Sequence, residues 1–234
     1  MVRLRSVIRT LASILALLSG LISVPVIAES LLNTIALESS KTFYCGCEFA
    51  FNSSHRPVFS KINCGYRSRL QVNNTSVQVE HIVPVSTLAN NLFCWRSGGR
   101  KGCEGDVEFE AMTTDLHNLV PVISEINRDR SNLKFGLVKG EPRLYGQCDF
   151  EIDRARGDVE VQESIRGDIA RIYFYMNERY QLDLDEQLLQ QFEAWSIADP
   201  VDEKERARNK RIIQHQGNTN QFVSASSNIS TAFH

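Results

Sequence analysis

The sequence has no surplus of basic residues: 26 lysines and arginines stand against 28 aspartates and glutamates, a formal charge of −2. That balance argues against an indiscriminate nucleic-acid coat protein, which is normally basic overall. No internal repeat and no long low-complexity run stands out, and no C-x-x-C pair occurs among the six cysteines. The longest apolar stretch, from about Leu11 to Val24, is short of the roughly 20 residues that a membrane helix needs. With 42% hydrophobic residues, the chain can build the core of one large domain or two small ones.

That apolar stretch follows Arg3, Arg5 and Arg9 and precedes Pro25-Val26-Ile27-Ala28, an ending where a signal peptidase would cut. Residues 1–28 are therefore expected to be a cleaved signal peptide, with an uncleaved N-terminal anchor as the alternative. Their removal takes three arginines and no acids, leaving 23 basic and 28 acidic residues, a charge of −5. A chain of that charge can still act on a polyanion if its positive charge and a metal are concentrated in one groove.

All six cysteines, Cys45, Cys47, Cys64, Cys94, Cys103 and Cys148, lie beyond the expected signal. An even number in an exported chain reads as three disulfides, and the missing C-x-x-C weighs against a zinc site. Cys94 and Cys103 bracket a short loop containing Gly98, Gly99 and Gly102. They are expected to pair and to pin a basic hairpin; the remaining connectivity stays open.

Residues 29–42 read as a short amphipathic lead-in with Leu31, Leu32, Ile35 and Leu37 on one face, and residues 43–75 as irregular. Val77 to Val83 alternates and is β-branched, which predicts a strand ended by Pro84. A short helix is expected near Val107–Thr113, a second strand over Leu116–Val122 with Pro121 restricting its end, and a helix from Ile123 to about Asn132. The C-terminal third is helical, with stripes Ile169-Ile172-Tyr173-Met176-Tyr180 and Leu188-Leu189-Phe192-Trp195 that read as core. Asp183 with Glu186 suggests a capping box, Asp199-Pro200 a helix start, and Gly217 a helix end; residues 224–234 read as a loose tail.

Residues suited to phosphodiester chemistry cluster between 80 and 130. Hydrolysis needs a base for water, a cation for the charge on the phosphate, and donors to hold it. His81 at a strand end suits the base, because neutral imidazole accepts a proton near pH 7. Glu80 offers the hard oxygen that magnesium or calcium prefers, and Asn127 adds a neutral one from a helix. Arg100, between glycines in the pinned loop, could grip phosphate oxygens. Each also has a plain structural reading: a His-Glu surface pair, a solvated Asn127-Arg128-Asp129-Arg130 helix face, an exposed Arg100-Lys101 loop.

Arranged along the chain, these residues form a strand ending in a carboxylate and His81, a second strand with His117-Asn118-Leu119, and a helix carrying Asn127 nine residues after Asn118. This resembles the ββα-metal (His-Me finger) nucleases. Phe43-Tyr44-Cys45-Gly46-Cys47, Val79-Glu80-His81-Ile82-Val83-Pro84, Gly98-Gly99-Arg100-Lys101, Asp115-Leu116-His117-Asn118-Leu119-Val120-Pro121 and Glu125-Ile126-Asn127-Arg128-Asp129-Arg130 are similar to bacterial endonuclease I. So are Gly146-Gln147-Cys148 and the run from Arg166 to Met176, so that the resemblance covers about residues 43–223.

The resemblance implies an α+β fold, a ββα-metal core within a mainly helical, disulfide-braced single nuclease domain at 29–223. It implies His81 as general base, Glu80 and Asn127 as ligands of one Mg2+ (Ca2+ or Mn2+ able to substitute), Arg100 on the scissile phosphate, and Asn118 orienting His81 through its side-chain oxygen. The implied enzyme is a periplasmic or secreted monomer. It cuts DNA and RNA with little sequence preference, holds them through phosphates that carry no base information, leaves 5′-phosphate and 3′-hydroxyl ends, and has no stable membrane association once processed. Two departures fall near the C-terminus. Some members carry a further cysteine pair there, where this chain has none, and Gln216-Gly217-Asn218 to Phe222 differs from the more usual Asn-Pro before an aromatic.

Neighbouring strand residues point to opposite faces, so Glu80 and His81 can share a site only if the strand bends or ends there. A local irregularity at 80–82 is therefore expected. The rival readings are a catalytically silent nucleic-acid-binding protein on the same fold and a hydrolase of a different phosphodiester.

Overall fold

The structure is a computed structural model that describes residues 40–224 apart from Asn63 and Glu141. The expected signal peptide at 1–28, the lead-in before residue 40 and the tail beyond Ser224 lie outside the described residues. Within them no helix is long and apolar enough to cross a membrane.

Among the described residues, seven strands and eight α-helices form a mixed α+β arrangement. The stretch expected to be irregular opens with a hairpin, β1 (Phe49–Phe51) against β2 (Pro57–Phe59). Its turn is made by Asn52, whose side-chain oxygen accepts from the backbone N–H of Ser54 and Arg56. Strands of three residues show almost no alternation, which is why the pattern hides them.

Then come β3 (Val77–His81), α1 (Val85–Ala89), α2 (Phe93–Gly102), α3 (Val107–Thr114), β4 (Leu119–Ile123), α4 (Ser124–Arg130) and β5 (Lys134–Phe135). β3 and β4 pair antiparallel as a two-stranded sheet. The second strand starts three residues later than expected. The Asp115 side chain accepts from His117 N at 3.0 Å and winds Leu116–Asn118 into a 3-10 turn.

β6 (Phe150–Asp153) and β7 (Asp158–Val161) complete a three-stranded sheet in the order β5-β7-β6. The chain ends in α5 (Arg166–Tyr180), α6 (Glu186–Ala198), α7 (Glu203–Gln216) and the single turn α8 (Gln221–Ser224). α5 is the central helix, burying Ile169, Ile172, Tyr173 and Met176, and it meets α6 through Tyr173 and Phe192 at 4.5 Å. The apolar stripes are core, as expected.

The helix starts differ from the expectation. Asp185, not Asp183, caps α6, accepting from Gln187 N at 2.8 Å. A capping box does form, but at Asp202 and Glu205 on α7. Asp199 instead accepts from Gly167 N at the start of α5. The Asp-x-x-Glu spacing occurs at Asp183–Glu186 and at Asp202–Glu205, and only the second forms the box. Gly217, at φ +84°, ends α7 as expected.

All six cysteines are paired: Cys94–Cys103, Cys47–Cys64 and Cys45–Cys148. The last closes a separation of 103 residues and fixes the N-terminal segment beside β6. In the chain-entropy model a loop of that size stabilises by about 4–5 kcal/mol.

Candidate active site

The site grows from the outer edge of β3. Pro121 in β4 lies opposite Val79, has no N–H, and turns its carbonyl to Phe43 N at 2.8 Å. That pair therefore carries no ladder hydrogen bonds, and the carbonyls of Val79 and His81 face away from β4. Such edge groups need partners. α4 follows β4 without a loop and supplies them. Asn127 Nδ2 donates to the Val79 carbonyl at 3.2 Å and to Gln78 Oε1 at 3.4 Å. Arg130 donates to the carbonyls of His81 at 3.0 Å and Ile82 at 2.6 Å, and to Glu80 Oε1 at 3.1 Å.

A crevice of about 290 Å³ runs along this edge, and Glu80, His81, Arg100, Asn127 and Arg130 all line it. Four sequence-predicted residues thus meet in one place. The expected irregularity at 80–82 is not in the ladder, whose register is unbroken from Val77 opposite Ile123 to His81 opposite Leu119. The chain bends only at Ile82 and Val83. Glu80 and His81 reach the same crevice because it opens along the strand's free edge, not above one face.

Glu80 is 3% exposed, and burial pushes its carboxyl up to about 7 against the opposing pull of Arg130. Burial pushes His81 down to about 4; the Thr113 carbonyl counters this, and the positive charges of Arg100 and Arg130 add to it. His81 Nε2 lies 2.8 Å from the Thr113 carbonyl oxygen. A carbonyl can only accept, so Nε2 carries the hydrogen and Nδ1 keeps its lone pair. The imidazole is neutral at pH 7 and orientated.

Arg100 does not sit in a hairpin loop. α2 is helical on both sides of a break at Gly98 and Gly99, and Gly99 (φ +58°, ψ −151°) occupies a conformation open essentially to glycine alone. Gly102 passes so close to Cys94 that an added Cβ would lie 2.6 Å from its carbonyl oxygen. The break and the Cys94–Cys103 bridge together set where Arg100 emerges, 5.9 Å from the Phe109 ring centroid.

Asn118 does not orient His81. Its Oδ1 accepts from Val83 N at 2.7 Å and its Nδ2 donates to the Val83 carbonyl at 3.0 Å. The amide clamps the bend after His81 at both polar groups of one residue. Thr113 holds His81 instead. His117 is buried elsewhere, with Nε2 3.2 Å from the Asn218 carbonyl oxygen.

Arg130 and Thr113 are the site residues that the sequence pattern does not single out. Arg130 falls in a charge run that reads by default as a solvated face, yet it is 1% exposed. Its position three residues after Asn127 puts both on one helical face, and that is the available signal. Thr113 acts through its backbone, which no side-chain pattern reveals.

A sequence model of the family described as Endonuclease I matches residues 29–227. The chain is similar to a periplasmic deoxyribonuclease of Aeromonas hydrophila, 42% identical over 78% of this chain and 77% of the relative. It is also similar to an extracellular deoxyribonuclease of Aeromonas hydrophila, 38% identical over 88% of this chain and 94% of the relative. An endonuclease-1 of Buchnera aphidicola subsp. Acyrthosiphon pisum is 40% identical over 78% of this chain and 73% of the relative.

Proposed function

The chain belongs to the endonuclease I family, and from that premise we propose that it is an exported, metal-dependent endonuclease acting on DNA and RNA through a ββα-metal core made of β3, β4 and α4. Cleavage has little sequence preference and leaves 5′-phosphate and 3′-hydroxyl ends, and the enzyme works as a monomer. Three disulfides suit an oxidising compartment outside the cytoplasm.

The donor set fits a magnesium-like ion. Among the described residues no group of three or more His, Cys, Asp or Glu side chains is placed to hold a metal, so an ion is not caged by protein alone. Glu80 and Asn127 present hard oxygens to one crevice. Arg130 occupies only Oε1 of Glu80, and Asn127 spends its amide hydrogens on Val79 and Gln78. Two oxygen ligands, with water and phosphate completing the shell, suit Mg2+, with Ca2+ or Mn2+ able to take its place; zinc prefers nitrogen and sulfur. The ion, when bound, neutralises charge on the phosphate and on the departing 3′ oxygen.

The chain's own groups do the rest. Arg100 grips a non-bridging phosphate oxygen with its planar fork. Nδ1 of His81 takes a proton from water while the water oxygen bonds to phosphorus and the bond to the 3′ oxygen breaks; that oxygen leaves with the bonding pair and takes a proton from solvent water to become the hydroxyl. Thr113 holds the imidazole in the tautomer this requires. Arg130 fixes Glu80 and ties α4, and so Asn127, to β3.

The observation that carries this reading is the convergence of Glu80, His81, Asn127 and Arg100 on one crevice. The test is incubation of the oxidised protein with plasmid DNA, RNA and a small phosphodiester, with magnesium or with chelator. Cleavage of both nucleic acids that stops with chelator, with labelling of 5′-phosphate ends, is the expected result. Binding without cleavage would instead favour a silent nucleic-acid-binding protein.

A further inference from the structure

A chain with a formal charge of −2 must concentrate positive charge to hold a polyanion, and Arg100 alone is a small footprint. A second basic cluster is built around Asp129, two residues after the crevice residue Asn127 on α4 and so on another face of that helix. Arg69 grips that carboxylate with two nitrogens, at 3.0 to 3.3 Å. Tyr145 donates to it at 2.7 Å. Arg154, from the β6–β7 turn, approaches Oδ1 at 3.3 Å, and Arg128 Nε approaches the same oxygen at 3.7 Å.

Three arginines stand against two carboxylates on this helix face, Asp129 and Glu125, a surplus of one positive charge. The other carboxylate on this helix face, Glu125, is buried and occupied by the Tyr66 hydroxyl and Leu70 N–H. Arg69 is the structural partner, at 35% exposed. Arg128 and Arg154 are 57% and 58% exposed, and their longer approaches to Asp129 use few of their five donors each. Arg128 directly follows the crevice residue Asn127, and Ser131 and Asn132 continue the crevice wall. Asp129 therefore orients two half-solvated guanidinium groups around α4 from the Asn127 face, on the helix that lines the crevice, without neutralising both.

We propose that Arg128 and Arg154 form a phosphate-binding flank that holds the nucleic-acid backbone beyond the scissile phosphate, on the α4 side of the crevice. The inference rests on the nuclease reading of the crevice and adds where a longer strand is held. Phosphate binding of this kind carries no base information and gives a steep salt dependence. It also makes affinity depend on substrate length, since a dinucleotide ends before the flank.

The test uses the full oxidised protein. Fluorescence anisotropy with a labelled 20-nucleotide single strand, in chelator, measures Kd from low to moderate salt for wild type, Arg128→Gln/Arg154→Gln, Arg128→Lys/Arg154→Lys and the distant control Arg206→Gln. The Gln pair is expected to weaken binding about tenfold at low salt and to lower the log–log salt slope by roughly 0.7 for each phosphate left without its arginine. The Lys pair should keep the wild-type slope, which separates charge from packing. In magnesium, the loss should fall on KM rather than kcat and should be larger for the 20-mer than for a dinucleotide. A Gln pair with the Kd and slope of Arg206→Gln overturns the proposal. Failure of wild type to cleave any nucleic acid would strike the nuclease reading instead, while the anisotropy still judges the flank.

Discussion

Arg130→Met should be the most destabilising single change at the site. The guanidinium is 1% exposed, lies 4.7 Å from the Phe135 ring centroid, and serves Glu80 Oε1 and the carbonyls of His81 and Ile82. Methionine keeps the apolar stem but strands a buried carboxylate and two carbonyls. Removing one partner of a buried ion pair costs about 3–5 kcal/mol, because the other charge stays buried and unpaired. Glu80→Gln in the same chain removes that charge, so the double variant should be less destabilised than the sum of the singles, with a coupling of about 1–3 kcal/mol. Urea unfolding of the four oxidised proteins, followed by circular dichroism, measures the cycle. If Arg130→Met unfolds within about 1 kcal/mol of wild type, well under the cost of a broken buried pair, or if the two changes are additive, Arg130 does not hold the β3–α4 junction together.

His117 gives a pH dependence with a defined sign. Burial, reinforced by Arg208, pushes it down to about 4, against 6.5 in the unfolded chain. From pH 6.5 down to 4 the unfolded state therefore binds a proton that the folded state refuses. Stability present above that upper value is lost as pH falls, at up to about 1.4 kcal/mol per pH unit. Relative to wild type, His117→Phe should lose less stability over that interval in urea melts at stepped pH, and parallel curves would contradict the assignment. Asn118→Asp keeps an acceptor for Val83 N but sets an oxygen against the Val83 carbonyl. It should cost roughly 1–3 kcal/mol and lower kcat more than it raises KM, and an unchanged melting temperature would count against the clamp. Replacing Cys45 and Cys148 together by serine should cost about 4–5 kcal/mol while leaving Cys94–Cys103 intact, as read by thermal melts and by mass spectrometry after alkylation.

The helices α3 to α7, the β3 strand and the Cys94–Cys103 bridge are legible because each is announced by local pattern: a helical period, alternation before a proline, or glycines between two cysteines; α2, read as a hairpin, is not. The β1–β2 hairpin is not, because its strands are too short for any period to register. Asp185 and Asp202 escape notice as caps because another aspartate, Asp183 or Asp199, lies two or three residues before each. At the site, Glu80, His81, Arg100 and Asn127 carry distinctive chemistry and can be named from sequence. How Glu80 and His81 share a crevice cannot, because it depends on which edge of β3 is left unpaired, and Pro121 settles that from the opposite strand. Arg130 and Thr113 belong to the supporting layer. One hides in a charge run, and the other acts through a carbonyl that every residue possesses.

The central claim is that His81, neutral and held by Thr113, activates water in the crevice with Glu80 and Asn127. The measurement that tests it most directly is plasmid cleavage by purified oxidised His81→Ala beside wild type, in magnesium and in chelator, with both proteins shown to be folded by their melting curves. Loss of a general base should lower the magnesium-dependent rate by about 10²–10⁴, with wild type inactive in chelator. Cleavage by folded His81→Ala at the wild-type rate would contradict the account.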